Sequence, residues 1–235
     1  MAGEFQTTNW TVVLAARDED SSIARAALTE LCETYWFPVY TFIRRLGHGA
    51  DESADLTQGY FLALLEKDYL DEVRPEAGRF RSFLLVSTLH FVSNERVRAR
   101  AAERGGKAAP VSLDAAAAED RYRLEIADGD TPESVFERQW AMTVLERSLA
   151  ALGAEMGQAG HADRFERLRP ELTGEQPSEK YESIARDLGM TEPAVRAAVH
   201  RMRKRFGEHL RAEVSRTVAR EEDVDLEIRH LLSSL

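Results

Sequence analysis

Between residues 181 and 205 the chain reads YESIARDLGMTEPAVRAAVHRMRKR, a segment whose outward basic groups have the types and spacing to bind nucleic acid. Tyr181, Ile184, Ala185 and Leu188 stand at i, i+3, i+4 and i+7, one apolar stripe on a short helix. Gly189 then breaks the pattern. Thr191 is placed to cap a following helix, and Pro193 is tolerated in a first turn, whose amide protons have no helical partners. Val195, Ala198, Val199, Met202 and Phe206 give that second helix its own buried stripe. Ala185 permits close approach, Gly189 permits a positive φ at the corner, and Val195 locks one helix onto the other. Arg196, Ala197, His200, Arg201 and Lys204 share the remaining, outward face. The pattern predicts a DNA-binding helix-turn-helix. A plain helical hairpin with a solvated basic face has the same spacing; a basic second helix in an otherwise acidic chain favours nucleic acid.

A second cationic segment precedes it by about a hundred residues, RFRSFLLVSTLHFVSNERVRARAAER at 79–104. Phe80, Phe83, Leu84, Leu85, Leu89, Phe91 and Val92 make its first half apolar on nearly every side, as in a core helix. Its second half is polar and basic, with Asn94, Arg96, Arg98, Arg100 and Arg104. Such a helix can press aromatic and amide groups on unpaired bases while arginines hold phosphates, and each stacked base contributes about 1–3 kcal/mol. A core helix with a snorkelling basic end is the plainer alternative.

The elements that must hold these groups are all helical. Apolar spacing predicts helices near 10–17, 21–46, 51–67, 79–103, 132–156, 160–169, 178–188, 192–219 and 224–233, and no stretch sustains the alternation of a strand. Residues 105–130 predict an acidic linker: Gly105, Gly106 and Pro110 end the preceding helix, and Thr131 caps the next. The expected architecture is therefore all-α, two small helical domains joined by that linker. They span 1–104 and 131–215, with an acidic helical tail at 216–235. Val224, Ile228, Leu231, Leu232 and Leu235 give the tail an apolar stripe. It is expected to pack on the second domain, or else to bind a partner and mask the basic helix.

The net charge is −10, but it is unevenly spread. Residues 79–107 carry +5 and 194–220 carry +6, whereas 1–78 carry −8. Local charge governs counterion release, so two basic footprints on an acidic background allow two contacts with one nucleic acid. The single cysteine, Cys32, excludes an internal disulfide and suits a reducing cytoplasm. The N-terminal residues lack a signal-peptide pattern, and the apolar run from Phe83 to Val92 is too short to span a bilayer. A soluble cytoplasmic protein with no membrane association is expected. None of the six histidines pairs with another His or Cys at ligand spacing, and no phosphate-binding loop occurs. No catalytic residue, metal or cofactor is expected.

ADLTQGYFLALLEK (54–67), the 79–100 segment and the 181–205 segment, in this order and separation, resemble a bacterial RNA polymerase sigma factor of the compact extracytoplasmic-function (ECF) type, in the sigma-70 family. The resemblance covers roughly residues 8–215. It implies that 1–104 is sigma domain 2, which binds core polymerase and reads and melts the minus-10 element. It implies equally that 131–215 is sigma domain 4, which reads the minus-35 element as duplex, and that the linker threads core polymerase near its RNA exit path. Asp55 and Gln58 match the family's D-x-x-Q pattern, whose face docks on the β′ clamp helices. Asp55, Gln58 and Leu62 also fall on one helix face, leaving Leu56, Tyr60, Phe61, Leu64 and Leu65 for the core. Phe80 and Phe83 match aromatic positions near the melting surface, with Arg96, Arg98 and Arg100 beyond them. His90 and Asn94 stand where the family usually has Asn and Asp. Thr191, Arg196, Ala197, His200, Arg201 and Lys204 match the minus-35 helix-turn-helix. Partners so implied are core RNA polymerase, through its β′ clamp helices and β flap, promoter DNA, and an anti-sigma factor. Thr57 replaces a usual aliphatic residue, which raises activation by a Ser/Thr kinase, since phosphate would add nearly two negative charges beside Asp55. Two other classes fit the same residues: a stand-alone helix-turn-helix DNA-binding transcription regulator, and an anti-activator interaction protein whose acidic half mimics nucleic acid.

Overall fold

Apolar stripes at helical spacing become ten α-helices and no strand among the described residues of the computed structural model: 21–65, 79–102, 115–126, 129–173, 181–218 and 220–235. They are α1 (Ser21–Arg45), α2 (Ala50–Leu65), α3 (Phe80–Ala102), α4 (Ala115–Glu125), α5 (Pro132–Gln158), α6 (Ala162–Leu168), α7 (Pro170–Thr173), α8 (Tyr181–Asp187), α9 (Glu192–Ser215) and α10 (Val224–Ser233). A 3-10 turn, Glu221–Asp223, leads into α10. The all-α class matches the expectation. The helix expected at 10–17, and Gly105, Gly106 and Pro110, lie outside the described residues. No helix among the described residues is long and apolar enough to cross a membrane.

Internal packing divides the chain into two units, Met1–Thr143 with Ser215–Leu235, and Val144–Val214. The expected border at residue 131 therefore moves into α5. In the first unit α1 buries Leu31, Tyr35, Val39, Phe42 and Ile43, and α2 buries Tyr60, Phe61 and Leu64. Gly59 lets α2 approach α3: a Cβ there would lie 3.2 Å from Phe91 Cζ. The Tyr60 hydroxyl and Ser87 Oγ share a hydrogen bond of 2.5 Å beside that contact. Thr131 caps α5 as its position predicts, its Oγ1 accepting the Ser134 amide at 3.1 Å.

Two expectations need correction here. The acidic linker contains a helix, α4, which packs on α2. Its alanine run has high helix propensity, and Glu119 turns inward rather than to solvent. That carboxylate accepts from Tyr40 Oη at 2.9 Å and from Arg44 Nε at 2.8 Å. The tail, in turn, belongs with the first unit and not with the helix-turn-helix. Val224, Leu231 and Glu227 are buried there. Glu227, 1% exposed, meets Arg81, 2% exposed, at 2.6 Å, and takes a second bond from Arg79 at 2.9 Å. Arg81 also pairs with Glu137, lies 2.8 Å from His230 Nε2, and sits 5.0 Å from the Trp140 ring centroid. A buried arginine satisfied on several sides holds α10 because a carboxylate removed from water requires such partners.

The second unit is built around Leu152, Phe165, Leu168, Ile184, Val195, Val199 and Met202. Gly153 makes room on α5 for Phe165, whose ring would lie 2.8 Å from any Cβ placed there.

Candidate nucleic-acid interface

In the second unit α8 and α9 form the turn that the spacing predicts. The amide of Met190 bonds to the carbonyl of Ala185 at 2.8 Å and that of Gly189 to Arg186 at 3.3 Å, the paired bonds of a Schellman ending. Gly189 has φ of +61°, the left-handed conformation that glycine takes without steric cost. The Val195 amide then bonds to the Thr191 carbonyl at 3.0 Å as α9 begins. Ile184, Ala185, Val195, Ala198, Val199 and Met202 are buried, and burying each large apolar side chain contributes roughly 1.5–3 kcal/mol.

That buried stripe turns Thr191, Arg196, Ala197, His200, Arg201 and Lys204 outward, and all six are exposed. Arg196 is held by Glu192 at 2.5 Å and lies 5.1 Å from the centroid of Tyr181. The hydrogen bond to Glu192 raises its pKa further above an already high value. Arg203 donates to the Glu171 carbonyl, and Arg205 is shared by Glu155 and Glu208. Arg201 and Lys204 take part in no ion pair among the described residues, so their charge faces solvent. A crest of unpaired and weakly paired cations suits a polyanion, because exposed ion pairs contribute little and yield to phosphate.

In the first unit α3 presents His90, Asn94, Arg96 and Arg98 to solvent, Arg98 paired with Glu95 at 2.8 Å. Arg100 lies within α3, but its side chain falls outside the described residues. Phe83 is half-buried. Phe80 corrects the expectation: fully buried, it packs edge-on against Tyr35 at 5.3 Å and is not free to stack on a base. Arg79 and Arg81, both counted in this basic block, are committed to Glu227. Nothing in the spacing announced that pairing, because its acidic partner lies 146 residues away.

On α2, Asp55 and Leu62 are exposed and Gln58 is half-buried, while Tyr60, Phe61 and Leu64 face the core as expected. Thr57 overturns the phosphorylation expectation. Its side chain is fully buried and its hydroxyl donates to the Ser53 carbonyl at 2.7 Å, out of reach of a kinase.

Burial, with a smaller push from Glu33, raises the Cys32 thiol to about 11, so it is a neutral, weakly reactive group. No group of three or more His, Cys, Asp or Glu side chains is placed to hold a metal ion among the described residues. A scan against family models, a search of curated proteins and a search of solved structures each returned no match.

Proposed function

We propose that this chain is a sigma factor that binds core RNA polymerase and directs transcription initiation, without catalytic activity of its own, in the cytoplasm. The observation that carries the proposal is the helix-turn-helix of α8 and α9, with Gly189 at its corner and an exposed cationic crest on α9. In this scheme α9 enters the major groove at the minus-35 element. Arg196 is the residue suited to a guanine edge, and Arg201 and Lys204 suit phosphate. The polar and basic end of α3, with His90, Asn94, Arg96 and Arg98, engages the minus-10 element. The outer face of α2, with Asp55, Gln58 and Leu62, docks on the polymerase.

Two separated cationic helices support this scheme over a stand-alone regulator, which needs one reading head per half-site. The test is reconstitution. Core polymerase supplemented with the purified chain is expected to give a discrete run-off transcript, and Arg201→Glu or Asp55→Arg is expected to remove it. Tight operator binding by the isolated chain, with no effect of core polymerase, would instead identify a stand-alone regulator.

A further inference from the structure

Beside the exposed crest of α9 lies a cleft of 380 Å³ that the sequence patterns did not indicate. It opens between the end of α5, α6 and α9, and its floor is apolar, with Leu152, Met156, Ala198 and Met202. Around it stand Arg164 and His161 from the start of α6 and Arg201 and Arg205 from α9. Glu155 is the one carboxylate in the lining, and it is already engaged by Arg205 at 2.6 Å and His209 at 2.8 Å. Arg164 and Arg201 have no ion-pair partner among the described residues. Two guanidinium groups with no ion-pair partner among the described residues thus line one half-open cleft, where their charges add in attracting an anion.

The position of the cleft tells which anion. At 100° per residue, Arg201 and Arg205 lie on one flank of α9, between the outward crest at His200 and the buried stripe at Met202. A helix lying in a major groove has a sugar–phosphate strand along each flank. We propose that this cleft is a seat for a backbone phosphate diester of duplex DNA, with Arg164 of α6 and Arg201 of α9 as its two jaws. It rests on the DNA-binding function proposed above and adds Arg164, which no helix-turn-helix pattern includes. The contact is to phosphate, so it fixes register and carries no sequence preference.

The test uses the full-length chain and a fluorescently labelled duplex, with binding followed by anisotropy across a salt series. Each phosphate neutralised contributes about 0.9 to the slope of log affinity against log salt. Arg164→Ala and Arg201→Ala are each expected to weaken low-salt binding by about threefold or more and to reduce that slope by about 1. Arg164→Ala should do so equally on unrelated duplexes. Arg229→Ala, an exposed arginine on α10, is the charge control and should leave the slope unchanged. If wild type binds with a salt-dependent slope that Arg164→Ala does not alter, the seat is wrong while DNA binding by the chain survives. If wild type binds no duplex at any salt, either alone or with core polymerase, both fall. If Arg164→Ala leaves DNA binding untouched but abolishes a rise in melting temperature with inorganic phosphate, the cleft holds a free anion and the seat is overturned. A loss of polymerase-dependent transcription with unchanged DNA binding would overturn it too, in favour of a protein partner.

Discussion

Arg196 shows how one side chain can be prepared and restrained at once. Glu192 and the Tyr181 ring fix its direction before any ligand arrives, which lowers the entropy lost on binding. In the proposed function the same carboxylate competes with DNA. In a promoter-binding assay with holoenzyme, Arg196→Ala is expected to weaken binding about tenfold and to blunt discrimination at one base position. Glu192→Ala should strengthen binding, most of all at low salt. Glu119 allows a second prediction at this scale. The hydrogen bond from Arg44, reinforced by one from Tyr40, holds its carboxyl below the ordinary range against the opposing effect of burial. Its folded-state pKa lies below the unfolded value, so the stability it adds is complete above the unfolded value and disappears as pH falls through the folded one. Urea titrations of wild type and Glu119→Gln should therefore differ most near about pH 7 and converge toward roughly pH 3. A gap that widened in acid would contradict the Arg44–Glu119 account.

At the scale of elements, the α8–α9 corner depends on Gly189. Alanine there must adopt the left-handed conformation, at a cost of about 1–2 kcal/mol, so Gly189→Ala should lower the melting temperature and weaken duplex binding together. Unchanged stability would mean that the corner relaxes by another route. This element was readable in the sequence because everything that defines it is local: an apolar stripe, a glycine and a second stripe within 26 residues. The same holds for the Thr131 cap and for the inward face of α2. What escaped was set by partners distant in sequence. The AAAAEDRYRLE run reads as helix by propensity, yet its acids suggested a tether, because only Tyr40 and Arg44 show that Glu119 points inward. Phe80 looked like a stacking residue because aromatic type does not reveal which side of a mostly apolar helix lies against Tyr35. Thr57 reads as a modifiable hydroxyl for a related reason: residue type does not show that its hydroxyl is satisfied by the preceding turn of α2 and so tolerates full burial.

For the whole molecule, the junction around Arg81 and Glu227 is the feature with the widest reach. Removing Glu227 leaves a buried guanidinium short of a partner, so Glu227→Ala should destabilise the first unit by about 3 kcal/mol. Hydrogen exchange should accelerate in α3 and the first half of α5 while α8 and α9 keep their protection. Acceleration confined to α9 would instead show that the tail supports the helix-turn-helix unit. Deleting residues 216–235 should have the same signature, more strongly. This arrangement also sets an order of assembly on the ribosome. Residues 144–214 form one uninterrupted unit that precedes α10 in the chain. The first unit must wait for α10, which follows residues 144–214 in the chain, before its buried arginine, already beside Glu137, gains Glu227 as well. Nascent chains arrested before α10 emerges should thus contain a finished helix-turn-helix and an unsealed amino-terminal bundle, the half more exposed to chaperones and proteases.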